Sequence, residues 1–211
     1  MASKTLREKA YEQMREMILS GEIKPGEMVP EKYWVELLQM SRTPIRSAME
    51  RLSSEGLVVY SPNKGLSIPE LSLQRVVDFF DFRIALEQYI VQKLARQIWS
   101  DDEKAWFQDN LEAQRYYMES NNYVEFTKLD SEYHCKLADI YNNLEIAQTM
   151  RNLQDKLYQN GLRVLRKDNA RILKSYQDHK QIYESIVLGE ASAAEQLMVE
   201  HLEYGKRILT M

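Results

Sequence analysis

The segment that decides the fold reads SRTPIRSAMERL over residues 41–52. Four of its apolar residues recur every three or four positions, which places them on one face of a helix. They are Ile45, Ala48, Met49 and Leu52. Ser41 belongs to the residue types that cap a helix N-terminus, and Pro44 is tolerated in a first turn. Gly56 suits the positive φ that often follows a helix. The segment therefore predicts one short helix with defined ends.

Two further amphipathic segments precede this helix. The first carries its apolar residues at helical spacing, namely Leu6, Ala10, Met14, Met17 and Ile18. It ends at Gly21, and residues 22–26 predict a turn. The second begins at Pro30, a favourable first helical position, and stops near Met40. We expect it to bury Trp34, Leu37 and Leu38.

Two short strands are predicted after the third helix. Residues 57–60 and 66–68 are rich in apolar and β-branched residues, and SPNKG at 61–65 is a strong turn sequence between them. Three helices followed by a hairpin predict a winged helix-turn-helix, which we assign to residues 1–69.

Arg42 and Arg46 stand one turn apart at the N-terminal end of the third helix. A helix fits the major groove of DNA, and Arg can bond O6 and N7 of guanine together. Thr43 can reach a phosphate or a thymine methyl group, and Lys64 lies at the tip of the predicted wing. The alternative is that both arginines only solvate an exposed helix face.

Composition limits the remaining classes. The 211 residues favour one or two domains, and 12 Gly and Pro are too few for a disordered or collagen-like chain. The net charge of −4 argues against sequence-blind coating of nucleic acid. Residues 1–69 carry ten Lys and Arg against nine Glu, so this near-neutral part can still hold a short base-reading element. The longest apolar runs, such as 57–59, are too short to span a bilayer. A single cysteine and an N-terminus without signal-peptide character predict a cytoplasmic protein with no membrane partner.

Residues 70–211 have almost no strand signal. Apolar residues recur at helical spacing, with breaks near residues 100–102, 119–122, 141–143 and 188–190. We expect six or seven helices in an antiparallel bundle. The chain is thus predicted to be mainly α, with a winged helix-turn-helix followed by an all-helical bundle.

All three histidines lie in the predicted bundle. Asp130 and His134 are four residues apart and therefore project from one helix face, while His179 and His201 lie in the last two helical segments. One carboxylate and three imidazoles suit Zn²⁺, Ni²⁺, Fe²⁺ or Mn²⁺. The alternative is that each histidine simply bonds a neighbour. Cys135 points about 100° away from His134 on an ideal helix, and we do not predict it to be a ligand.

The motifs resemble two known protein families. The runs SRTPIR at 41–46, EGLV at 55–58 and NKG at 63–65 closely resemble the DNA-binding domain of the GntR superfamily of bacterial transcription regulators. That resemblance implies that five residues lie at or near DNA, namely Lys32, Arg42, Thr43, Arg46 and Gly65. Residues 33–40 depart from the usual pattern, which affects packing and operator preference.

Residues 70–211 resemble the FCD effector-binding domain, which is found in the FadR-like branch of the same superfamily. The matching runs are RIALE at 83–87, DSEYH at 130–134 and DHKQI at 178–182, with Asp178 where Glu is more common. The resemblance implies that Asp130, His134, His179 and His201 bind a divalent metal at the floor of an effector cavity. It also implies a small carboxylate effector, with Arg83 either facing that effector or pairing with Glu87.

These observations predict a homodimeric transcription regulator. Its affinity for a double-stranded operator is expected to respond to the carboxylate effector at the metal, through the short link at residues 67–71. Two other interpretations remain: a metal-dependent enzyme that acts on a small organic acid, and a direct sensor of the metal.

Overall fold

The computed structural model describes residues 4–24, 26–62, 64–69 and 72–211. Pro25 and Asn63 of the predicted turns, and Glu70 and Leu71 of the predicted link, lie outside the described residues. The chain divides into two compact units, Met1–Leu71 and Ser72–Met211.

The N-terminal unit contains three helices and a small antiparallel sheet. The helices are α1 (Leu6–Ser20), α2 (Glu31–Leu38) and α3 (Arg42–Ser54); the strands are β1 (Met28–Val29), β2 (Val59–Ser61) and β3 (Gly65–Ser67). The strand order is β1-β3-β2, and Leu66 is opposite both Val29 and Tyr60. Strands β2 and β3 pair with each other and form the wing. The predicted winged helix-turn-helix is confirmed.

A compact apolar core holds this unit together. Side chains from all three helices and β3 are completely buried in it, and they include Met14, Trp34, Ile45, Met49, Leu52 and Leu66. The N-terminus of α1 is closed by a capping box, in which Thr5 and Glu8 each accept from the other's backbone N–H. Helices α1 and α3 are amphipathic, and burial of the apolar face of each helix stabilises the unit.

Two local predictions were wrong, and one short strand was not predicted. Leu37 is 46% exposed because the short helix α2 packs along a narrow stripe that contains Trp34 and Leu38, and Leu37 falls on its flank. Ser41 occupies the N-cap of α3 but its hydroxyl makes no capping hydrogen bond. Strand β1 was missed because its two residues pair with β3, which lies far away along the chain.

Gly65 is a backbone requirement at the start of β3. Its φ is +110°, and a Cβ atom there would lie 2.3 Å from the carbonyl oxygen of Val29 and 2.7 Å from Cα of Pro30. We expect Gly65→Ala to lower the free energy of unfolding of this unit by about 2 kcal/mol or more, because clash and positive φ add. Urea unfolding measures the loss. Gly56→Ala is the control, since exposed Gly56 has φ +73° and its replacement is expected to cost only about 1 kcal/mol. Equal losses would contradict the backbone clash.

The C-terminal unit is a bundle of six helices within the described residues. They are α4 (Leu73–Leu94), α5 (Asp101–Glu119), α6 (Tyr123–Tyr141), α7 (Leu144–Lys167), α8 (Arg171–Val187) and α9 (Ala191–Thr210). Helix α4 packs most extensively on α9, and α6 on α7. The predicted all-helical bundle is confirmed. No helix in the described ranges is both long and apolar enough to cross a bilayer.

The interior of this bundle contains both an apolar core and a polar region. The apolar core includes Phe107, Tyr133 and Ile182, which are completely buried. Beside it lies a set of buried polar side chains: Arg83, Glu87, Gln114, His134, Arg171, Asp178, His179 and His201. Burial of so many polar groups is costly unless each has a partner or a ligand, which directs attention to this region.

Candidate metal centre and candidate DNA-reading helix

The four predicted metal ligands come together in the bundle. Asp130 and His134 lie on α6, His179 on α8 and His201 on α9. One potential ligand atom from each side chain lies within 4.8 Å of all the others. The imidazole ring centroids are 4.7 to 5.4 Å apart. Residues far apart in the chain thus form one cluster of three nitrogens and one carboxylate.

Two imidazole nitrogens in the cluster have no hydrogen-bond partner among the described residues. They are Nε2 of His134 and Nε2 of His179, and both side chains are completely buried. Nε2 of His179 lies 3.4 Å from a carboxylate oxygen of Asp130, beyond a good hydrogen bond. An unpartnered buried nitrogen is unfavourable, whereas a metal ion would satisfy both. The donor set fits a divalent ion of the zinc, nickel, iron or manganese type.

Glu87 fixes the orientation of His134. One carboxylate oxygen of Glu87 lies 2.5 Å from Nδ1 of His134, and the other accepts from Nε of Arg83 at 2.6 Å. Burial alone would raise the pKa of Glu87, but Arg83 and His134 outweigh it and lower the pKa to about 2. An ionised carboxylate can only accept, so Nδ1 of His134 donates and its Nε2 keeps a lone pair for a ligand.

A relay of buried amides fixes His179 in the same way. Asn110 donates to the carbonyl oxygen of Leu129, and Gln114 donates to the amide oxygen of Asn110 at 2.7 Å. The amide oxygen of Gln114 therefore faces Nδ1 of His179, at 2.8 Å. Because that oxygen can only accept, Nδ1 carries the hydrogen and Nε2 of His179 is free to bind a metal.

His201 contacts a buried ion pair. Its Nδ1 lies 3.2 Å from a carboxylate oxygen of Asp178 and 3.1 Å from a guanidinium nitrogen of Arg171. Arg171 also donates to Asp178 and to the backbone carbonyl of His201. Burial lowers the pKa of His201 well below its usual value, and the positive charge of Arg171 lowers it further. Burial likewise lowers the pKa of His179. Neutral imidazoles at neutral pH are the form that binds metals.

A partly open pocket adjoins the cluster. The residues that line this pocket include six polar ones: Arg83, Thr127, Asp130, Arg171, Ser175 and His201. Two buried guanidinium nitrogens, Nη2 of Arg83 and Nε of Arg171, have no hydrogen-bond partner among the described residues. Arg83 thus pairs with Glu87 and also lines the pocket.

Cys135 lies outside the cluster. Its side chain is buried, and the thiol lies 3.6 Å from the carbonyl oxygen of Met150 on α7. Burial raises the pKa of this thiol to about 12, which keeps it protonated and a poor metal ligand.

The predicted DNA-reading residues are exposed at the N-terminal end of α3. Arg42, Thr43 and Arg46 all face solvent, while Ile45 between them is buried in the core. Both arginines approach the carboxylate of Glu31, the first residue of α2. A hydrogen bond with Glu31 raises the pKa of Arg46.

The other predicted DNA contacts also lie at the surface, except Gly65. Lys32 is on α2, with its ammonium group 3.5 Å from Glu36 and most of its side chain exposed. Lys64 is exposed immediately before β3, and Gly65 is buried at the start of that strand. The small unit thus presents basic groups on α2, α3 and the wing.

Sequence reasoning missed Glu31, Asn110, Gln114 and Arg171. Asn110 and Gln114 are four residues apart, and they interrupt the apolar face that Phe107 and Leu111 define on α5. Two amides at core positions were the available signal, because buried amides require fixed partners. Nothing in the sequence paired Arg171 with His201 or Glu31 with the arginines of α3.

A winged helix-turn-helix and a helical domain with a polar chamber, joined in one chain, define the class of two-domain DNA-binding regulators. Comparison with known families agrees. Residues 6–68 match the gntR family of bacterial regulatory proteins, and residues 78–204 match the FCD domain. The chain belongs to the GntR family and carries a C-terminal FCD domain. It is a DNA-binding transcription regulator and not an enzyme.

Individual relatives are regulators too. The chain is 26% identical over 196 residues to the "Uncharacterized HTH-type transcriptional regulator YdhC" of Bacillus subtilis, covering 92% of this chain and 86% of that protein. It is 34% identical over 143 residues to the "Nta operon transcriptional regulator" of Aminobacter aminovorans, covering 67% and 66%. The solved structure of E. coli McbR/YncC is similar in fold, with a TM-score of 0.80, 18% identity and 98% of each chain covered.

Proposed function

We propose that this regulator controls its affinity for an operator through a small carboxylate effector, bound at a divalent metal in the C-terminal unit. One observation carries the proposal: two completely buried imidazole nitrogens, which have no hydrogen-bond partner among the described residues, converge with a carboxylate and a third imidazole. Asp130, His134, His179 and His201 would hold the ion, and an ion so bound supplies a positive centre for a carboxylate.

The pocket beside the cluster supports an anionic effector. Arg83 and Arg171 both line it, and in the described part of the chain each has a buried guanidinium nitrogen without a hydrogen-bond partner. A guanidinium group offers two parallel donors to a carboxylate, which gives both affinity and geometric selectivity.

We expect small organic acids to stabilise the metal-loaded protein. At an acid concentration 100 times its Kd the free energy of unfolding rises by about 2.7 kcal/mol, which raises Tm by several degrees. A thermal-shift screen of organic acids and their neutral amides, together with metal analysis of the purified protein, measures this. Arg83→Lys keeps a positive charge beside Glu87 but removes the planar fork, and it should weaken the best acid about tenfold without loss of metal. Equal stabilisation by acids and amides would contradict the proposal.

For the N-terminal unit we propose that α3 enters the major groove. Arg42 and Arg46 would read base edges, and Thr43 would contact a phosphate or a thymine methyl. Lys32, Lys64 and the backbone of Gly65 would contact the DNA backbone or the minor groove. Two copies are needed to read a two-fold operator, so the active form is a homodimer, and it works in the cytoplasm, where the operator is.

Effector binding changes DNA affinity only if the effector binds two placements of the DNA-binding units with different affinities. We place the coupling in the short connection between the units, where Pro69 restricts the backbone. An effector that prefers one placement of the two DNA-reading helices would then favour or oppose operator binding. Titration of a fluorescent operator complex with the stabilising acid tests this step directly.

The convergence of four candidate ligand side chains favours a second candidate function. Four ligand atoms complete a tetrahedral site without any effector, so the metal itself would be the signal. A chelator that changes operator affinity in the absence of any organic acid would support this direct metal sensor. An acid that changes operator affinity at constant metal content would support the carboxylate-responsive regulator.

A further inference from the structure

One carboxylate contacts both arginines of the DNA-reading helix. Nε of Arg46 donates to Glu31 at 2.7 Å, and Nε of Arg42 lies 3.6 Å from the other carboxylate oxygen. The Glu31 side chain is only 20% exposed, whereas those of Arg42 and Arg46 are 75% and 50% exposed. Among the described residues neither guanidinium forms another ion pair. The three side chains therefore form a cluster that joins α2 to α3.

We infer that Glu31 is a specificity-determining residue, which positions Arg42 and Arg46 for base reading. This inference rests on the proposed DNA-reading role of the two arginines. Glu31 contacts each arginine through Nε, and the two Nη nitrogens at the end of each guanidinium remain available. Those terminal nitrogens are the pair that can bond O6 and N7 of one guanine in the end-on geometry.

Holding the arginines in place lowers the cost of binding. A free arginine side chain loses considerable rotamer entropy when it is ordered on DNA, and a side chain already held in position loses less. Glu31 is itself held at the first turn of α2, a position that favours a negative charge. The hydrogen bond to Arg46 joins two helices, so it restrains the direction in which Arg46 leaves α3, and the same carboxylate attracts Arg42 from 3.6 Å.

Glu31 also reduces binding to DNA of the wrong sequence. The three side chains together carry one positive charge instead of the two that the arginines alone would carry. Affinity for DNA of any sequence rises with the number of basic groups that neutralise phosphates. A carboxylate beside the arginines therefore disfavours contacts with phosphates and leaves bidentate base contacts as the favourable alternative.

The experiment compares Glu31→Gln with a matched control, Glu36→Gln. Glu36 lies on the same helix and its replacement removes the same charge, but it contacts Lys32 and not the arginines. The wild type is first used to select duplexes from a pool of randomised sequence. Each protein is then titrated with the selected duplex and with a scrambled duplex of equal composition at physiological ionic strength. Circular dichroism establishes that the variants are folded.

We expect Glu31→Gln to bind the scrambled duplex more tightly and the selected duplex no more tightly. The ratio of the two affinities should fall about tenfold, whereas Glu36→Gln should leave that ratio within about twofold of the wild type. A ratio for Glu31→Gln equal to that for Glu36→Gln overturns the role of Glu31 while the arginines remain the reading residues. A wild type that selects no sequence overturns the proposed base reading and this inference with it.

Discussion

Replacing Arg46 by Ala is expected to abolish sequence-selective DNA binding in a protein that remains folded. The side chain is half exposed, and among the described residues its single ion pair is with Glu31, so its loss removes little from the core. A bidentate contact to a guanine is one of the strongest sources of base discrimination, and a homodimer loses it twice. We therefore expect operator affinity to fall about 100-fold or more, towards the value for scrambled DNA.

Fluorescence anisotropy with selected and scrambled duplexes measures this loss. Arg115→Ala is the control, because it removes one arginine from exposed ion pairs with Glu112 and Glu119 on α5. That control should change both affinities by less than about threefold, which reflects only the loss of general positive charge. Selective operator binding by Arg46→Ala at physiological salt would show that α3 is not the reading helix.

Replacing His134 by Ala is expected to remove stoichiometric metal and, with it, the response to organic acids. The change deletes one of the four converging candidate ligands and leaves the Glu87 carboxylate paired with Arg83 alone. Loss of a residue that only orients a metal ligand lowers metal affinity about 10- to 100-fold. Loss of a ligand itself should therefore lower metal affinity more than about 100-fold. Metal content by elemental analysis and competition with a coloured chelator measure the effect.

Loss of a buried imidazole also affects folding, and two comparisons separate this effect from metal binding. Chelation should lower the Tm of the wild type but not that of His134→Ala, because only a protein that binds the metal is stabilised by it. Cys135→Ala changes a buried neighbour outside the cluster and should retain full metal content. Metal content equal to wild type in His134→Ala would contradict the assignment, and DNA binding by the same variant should remain intact.

Most of the N-terminal unit was predictable from local patterns. Helix α3 has its buried residues at the predicted positions, and Gly56 has the positive φ expected just past it. The failures concern contacts between distant residues. Strand β1 is only two residues long and exists through its pairing with β3, and the exposure of Leu37 depends on how narrow a face α2 presents to its neighbours.

In the candidate site, too, local features were predictable and contacts between distant residues were not. The four-residue spacing of Asp130 and His134 places both on one face of α6, since a helix repeats every 3.6 residues. The spacing says nothing about His179 and His201, which reach the same point only because α8 and α9 pack there. The hydrogen-bond partners that orient the imidazoles come from other helices again, namely Glu87 on α4 and Gln114 on α5.

The sequence by itself determined the order of the helices and the hairpin, the exposure of the arginines on α3, and which residues are of metal-ligand type. These features are local, because helical periodicity and turn chemistry act over a few neighbouring residues. Only the tertiary structure decided that three imidazoles and a carboxylate meet within 4.8 Å, and that one glutamate contacts both arginines. Those contacts depend on how whole helices pack, and packing is set by the combined burial of many side chains rather than by any local pattern.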